Sequence, residues 1–221
     1  MDRLTPTTNE TPRLAAGHGP WAEQLAALLA ARRGHFRLES GHHGDLWLDL
    51  ERLFLHPERV EALAVALARQ IAAHRIDLVC GPLIEGPFVA MRAAAHLSLP
   101  FAYAEPIPDA RSGDLYPVRY RVPRTLLAEL RDRRVAVVND VINAGSAVRG
   151  TLRDLRACGA RPIVIATLAV LGEGAASLAA EQELPLESLA GFPNTVWVPT
   201  GCPLCAAGVP LYADPRDNAS P

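Results

Sequence analysis

Between Trp21 and Arg33 the apolar residues Trp21, Leu25, Leu28 and Leu29 recur at the spacing of one helical face. The period changes at His35. Phe36 and Leu38, then Leu46, Leu48 and Leu50, alternate with polar neighbours, and the stretch Ser40-Gly41-His42-His43-Gly44-Asp45 between them has turn composition. Residues 35–50 therefore predict a two-stranded hairpin. Residues 57–74 return to the helical period, with Val60, Leu63, Leu67 and Ile71 on one face and Pro57 suited to the first turn. Four apolar runs follow, at residues 78–80, 100–104, 135–138 and 162–171, with helical segments at 88–97 and about 147–158. Strands without polar alternation are covered on both faces. The expected fold class is α/β, a doubly wound parallel sheet with a small hood formed by the hairpin. Residues 105–134 break the alternation with a Pro- and Arg-rich insertion, and long insertions in such domains are usually functional or mobile.

The chain has 221 residues, enough for one well-buried domain. We expect a disordered leader at 1–20, a single domain over 21–211 with the hood at about 35–50, and a flexible tail at 212–221. No apolar run reaches the roughly 18–20 residues that cross a bilayer, and the leader lacks the apolar stretch of a signal peptide. Those features point to a cytoplasmic protein with no membrane partner. A net charge of −2 gives no electrostatic footprint for nucleic acid. All 22 Lys-plus-Arg positions are arginine, so any bound anion must be held by Arg, His, backbone N–H groups or a metal.

The chemistry concentrates between Arg134 and Leu155. Asn139 and Asp140 stand at the C-terminal edge of a buried strand, where open α/β sheets bind ligands. A small-residue loop follows, Val141, Ile142, Asn143, Ala144, Gly145 and Ser146, and near Ala147 an amphipathic helix begins. Such a loop presents several N–H donors and the positive end of the helix dipole, which suits a phosphate. Asn143 and Ser146 add side-chain donors, Gly145 lets the backbone approach closely, and Asn139 with Asp140 can hold a diol. Together these residues describe a sugar-phosphate pocket. The plainer alternative is a strand–turn–helix with an Asn-Asp cap.

The stretch VVNDVINAGSAV resembles the phosphoribosyl-pyrophosphate signature of type I phosphoribosyltransferases, above all the form found in the orotate-using members. GHFRLESGHHGDLWLDL is similar to their N-terminal hairpin and DLVCGPLIEGPFVA to their pyrophosphate loop, so the likeness spans residues 34–172. The resemblance implies ribose hydroxyls on Asn139 and Asp140, the 5-phosphate on the loop to Ala147, and pyrophosphate near His43, Ile84, Glu85 and Gly86. It further implies Mg²⁺, phosphoribosyl pyrophosphate and a nucleobase-like acceptor as ligands, a homodimer, and a place in pyrimidine nucleotide biosynthesis with orotate as the acceptor.

This sequence departs from the pattern at definite places. Asn139 replaces the first acid, Asn143 a threonine, and His43 and Glu85 two lysines. No arginine lies at 169–171, where the orotate carboxylate contact would fall. Arg111, Arg119 and Arg121 are the candidate replacement cations, so Asp140, Arg111 and Arg119 are the expected catalytic residues. A transferase for another base, or a non-catalytic phosphoribosyl- or nucleotide-binding regulatory protein, remains open beside the orotate reading. Cys202-Pro203-Leu204-Cys205 is either a reduced turn or half of a zinc site shared by two subunits; no residue is assigned as a metal ligand.

Overall fold

The computed structural model describes residues 17–108, 115 and 118–212; residues 1–16, Arg111 and the tail from 213 lie outside the described residues. In chain order the elements are α1 (Ala22–Leu28), β1 (Ala30–Arg37), β2 (His43–Asp49), α2 (Glu51–Phe54), α3 (Pro57–Ala72), β3 (Leu78–Pro82), α4 (Gly86–Leu97), β4 (Phe101–Pro108), β5 (Val118–Arg121), α5 (Leu127–Leu130), β6 (Arg134–Ile142), α6 (Ser146–Ala157), β7 (Arg161–Leu171), α7 (Gly174–Gln182), β8 (Leu186–Phe192), β9 (Val196–Trp197) and α8 (Pro203–Ala206).

The four apolar runs become β3, β4, β6 and β7 of one six-stranded sheet, ordered β5-β4-β3-β6-β7-β8. It is parallel from β4 to β8, with β5 antiparallel at the edge. Side chains along β6 feed both faces. Ala136 and Val138 join α1, α3 and α4 in one core, while Val135 and Val137 join α6 and α7 in the other. Both layers are packed with buried apolar side chains, which explains the continuous apolar runs.

Two local expectations change. The helical pattern through Arg33 stops at Leu28, because Ala30 to Arg33 pair as strand with Asp49 to Leu46. Tertiary pairing there overrides the helix preference of Ala and Arg. The turn is also shorter than its composition suggests, since β2 begins at His43 opposite Arg37 and Gly41 takes the positive φ of 82°. β9 completes the hood as a third strand, pairing His43 with Trp197. At the end of the expected leader, His18 exchanges backbone hydrogen bonds with Gly191 of β8.

Candidate active site

β6 lies between β3 and β7, so its C-terminal end opens at the middle of the sheet. Asn139 and Asp140 sit there and are buried, at 8% and 3% exposure. The Asn139 amide donates to the Val141 carbonyl at 2.9 Å, and Thr167 Oγ1 of β7 donates to the Asp140 carbonyl at 2.9 Å. These bonds fix the strand end. The Asp140 carboxylate keeps one buried oxygen, Oδ2, without a hydrogen-bond partner among the described residues. Burial, and after it the charge of Glu85, pushes its pKa up to about 7 against the opposing hydrogen bond from the Val141 N–H. A buried carboxylate oxygen without a protein partner calls for an explanation, and a bound ligand would supply one.

The loop then turns into α6. Gly145 caps that helix with φ +78°, and a Cβ there would stand 2.7 Å from Leu178 Cδ2. Only glycine meets both conditions at low cost. Asn143 Oδ1 accepts from the Asn194 amide at 3.1 Å, which ties the loop to the segment after β8. Ser146 and Ala147 begin the helix, and their N–H groups are among the first-turn donors of a 12-residue helix. Residues 139–147 are thus gathered into one strand–loop–helix corner.

The second wall is the loop from β3 to α4. Gly86 is packed so closely that a Cβ would lie 2.3 Å from Asn139 Oδ1, so the start of α4 rests directly on the polar pair. Glu85 precedes it and acts on both Asp140 and Tyr120. Ile84 is 56% exposed at the loop's tip.

Glu39, in the hood turn, carries no distinctive sequence signal, yet it reaches this corner. Its carboxylate accepts from Ser146 Oγ at 2.6 Å and from Tyr120 Oη at 2.9 Å. Burial, then Glu39 itself, keeps the Tyr120 phenol protonated and able to donate. Tyr120 is the inward residue of β5; Arg119 and Arg121 flank it on the opposite, exposed face. His43, expected beside pyrophosphate, is buried against His35 and Cys205, with Cys202 in the same cluster. That packing, with His35 and Arg37 adding repulsion, holds its imidazole below the ordinary range.

Residues 50–198 match the family model described as phosphoribosyl transferase domain. The orotate phosphoribosyltransferase of Caldanaerobacter subterraneus subsp. tengcongensis is 28% identical over 189 residues, covering 86% of this chain and 92% of that protein. Orotate phosphoribosyltransferase 2 of Mesorhizobium japonicum is 31% identical over 184 residues, covering 82% and 88%. Among solved structures, orotate phosphoribosyltransferase from Aeropyrum pernix aligns with a TM-score of 0.56 at 26% identity, over 78% of this chain and 92% of that one. Adenine phosphoribosyltransferase from Thermoanaerobacter pseudethanolicus gives 0.61 at 16% identity, over 77% and 99%, a likeness of fold alone.

Proposed function

Since the chain belongs to the phosphoribosyltransferase family, we propose that its corner at residues 139–147 binds phosphoribosyl pyrophosphate and that orotate is the accepting base. The observation that carries this reading is the unpartnered, buried Asp140 oxygen set one residue from Asn139 and beside an anion-binding loop. A diol next to a phosphate is the ligand that satisfies both. The relatives named for orotate at 28% and 31% identity support that choice of base.

In this mechanism the loop amides of Asn143 to Ala147 hold the 5-phosphate, and Asp140 and Asn139 orient the ribose hydroxyls. The bond from C1 of the ribose to pyrophosphate breaks, the leaving group taking the electron pair, and the base nitrogen, its N–H proton lost to solvent, forms the new bond to C1. Mg²⁺ suits the donors present, because Asp140 offers a free hard oxygen and Glu85 stands close enough to raise its pKa. When bound, the ion supplies positive charge to the pyrophosphate and the ribose hydroxyls. Arg119 and Arg121 are exposed on the edge strand, and with Arg111 they are the candidate cations that steady the departing charge. His43 is enclosed, so its pyrophosphate role is the part of the expected site with the least geometric support.

The exposed apolar side chains Ile84, Phe88 and Met91 support a homodimer through the face at the start of α4. No described helix is long and apolar enough to cross a membrane. A second reading, an acceptor other than orotate, draws on the absence of Arg at 169–171 and on the acidic pair Glu39 and Glu85 around the corner.

A labelled-donor assay over a panel of purine, pyrimidine and pyridine bases tests the proposal. Transfer to orotate supports it, and transfer to another base moves the substrate assignment. Donor binding with no transfer to any base would establish the non-catalytic reading. Arg111→Ala and Arg119→Ala are each expected to lower kcat about tenfold, roughly 1.4 kcal/mol of transition-state stabilisation. Full turnover in both would remove the arginines from the mechanism.

A further inference from the structure

Four side chains able to ligate a metal converge in the hood: His35 on β1, His43 at the start of β2, and Cys202 and Cys205 at α8. Their ligand atoms all lie within 4.8 Å of one another. His35 Nε2 is 3.1 Å from His43 Nδ1, 3.4 Å from Cys202 Sγ and 3.7 Å from Cys205 Sγ. Cys205 Sγ is 3.3 Å from His43 Nδ1. Around a tetrahedral zinc with ordinary bond lengths, two nitrogens sit about 3.4 Å apart and a nitrogen and a sulfur about 3.6 Å apart. The four observed spacings fall within roughly 0.3 Å of those edges.

Hydrogen bonding alone does not account for the arrangement. His35 Nδ1 lies 2.8 Å from the Val209 carbonyl, which can only accept, so that nitrogen carries the proton. Nε2 of the neutral ring then offers a single lone pair, and three polar atoms crowd around it. A metal ion uses all four lone pairs at once. The Val209 contact becomes the outer hydrogen bond that fixes the tautomer and aims Nε2 at the ion. His35, His43 and Cys202 are buried, and Cys205 is exposed at the rim, where an ion could enter.

We propose that His35, His43, Cys202 and Cys205 of one chain form a closed structural Zn²⁺ site that fastens the C-terminal segment to the hood hairpin. Four protein ligands leave no open position for chemistry, which marks the site as structural. The need is visible in the packing. Of residues 199–206 only Cys202 is buried, so this segment has little apolar surface with which to hold itself. It is otherwise joined to the hood through the β2–β9 pairing and the backbone bonds of Tyr212 with His35 and Arg37. The two strands that carry the histidines also lead into the turn bearing Glu39, so the ion would steady the turn that meets Ser146. From the sequence, the CxxC is either a reduced turn or half of a zinc site shared by two subunits; in the fold, His35 and His43 of the same chain stand beside it.

Protein purified under reducing conditions and supplied with Zn²⁺ should contain one zinc per chain by plasma mass spectrometry. Apo-protein titrated with Co²⁺ should show the thiolate charge-transfer band and the intense visible bands of a tetrahedral S₂N₂ site. Cys205→Ser, at the exposed ligand, should retain below roughly a tenth of the zinc and melt earlier, while Cys158→Ser keeps both properties. Half a zinc per chain in a dimer would overturn the one-chain site. Reduced wild-type protein that binds neither metal, or a Cys205→Ser variant with undiminished zinc, would also overturn it. None of these readouts depends on turnover, so they stand apart from the assignment of the base.

Discussion

Asp140 is buried with one oxygen unpartnered, and its pKa is pushed up to about 7 from the unfolded value of 3.8. Between those two pH values the folded chain binds more protons than the unfolded one, so this residue makes stability fall as pH rises. The loss begins above pH 4 and is complete above pH 7, and it amounts to a few kcal/mol at most. Asp140→Asn should flatten the metal-free stability profile across that window, as read by urea denaturation, and abolish turnover. Since a proton and Mg²⁺ compete for the same oxygen, Mg²⁺ should bind about tenfold more tightly at pH 8 than at pH 6 by calorimetry. Equal affinities would mean that Asp140 does not face the ion. Gly145 makes a separate demand. Gly145→Val would force a β-branched residue to φ +78° and drive its Cβ toward Leu178, reshaping the phosphate loop. Ribose-5-phosphate binding should drop below detection by calorimetry, and unchanged binding would place the anion elsewhere.

At the scale of elements, the hood turn, β5 and α6 meet through one carboxylate. Glu39 accepts from Tyr120 of β5 and from Ser146 at the start of α6, and the Tyr120 hydroxyl also reaches the Leu83 carbonyl at 3.3 Å. Tyr120→Phe should therefore loosen the hood, costing about 1 kcal/mol of stability by thermal melting. Glu39 also sets a negative charge beside the loop that is to receive a phosphate. Glu39→Gln keeps an acceptor but removes that charge, and the KM for the donor should fall about fivefold, equivalent to ~1 kcal/mol, with kcat little changed. A raised KM would show that the carboxylate organises the loop more than it repels the ligand. β8 belongs to the same scale. Its sequence, LESLAGF, shows neither alternation nor an unbroken apolar run, and it becomes strand because β7 offers a free parallel edge.

For the molecule as a whole, stability rests on the two apolar cores of the described residues, one on each face of the sheet. Leu63 of α3 is fully buried in one of them, away from the site. Leu63→Ala should cost about 2–5 kcal/mol and lower the melting temperature while leaving the KM for donor unchanged. The sequence by itself determined the central strands and the strand–loop–helix corner at residues 139–147. Both are local: an apolar run needs no partner to be recognised, and Asn139 to Ala147 are consecutive, so their chemistry reads in a line. The end of α1 and the strand at β8 depended on which neighbours they pair with, and no residue-by-residue pattern contains that information. Glu39 gained its place only when the hood folded over α6. Likewise, the family resemblance puts His43 beside pyrophosphate, whereas the fold pairs it with Trp197 of β9 and gathers it with His35 and two distant cysteines. Those contacts join residues 35–43 to 202–205, and only packing of the whole chain brings such distant segments together.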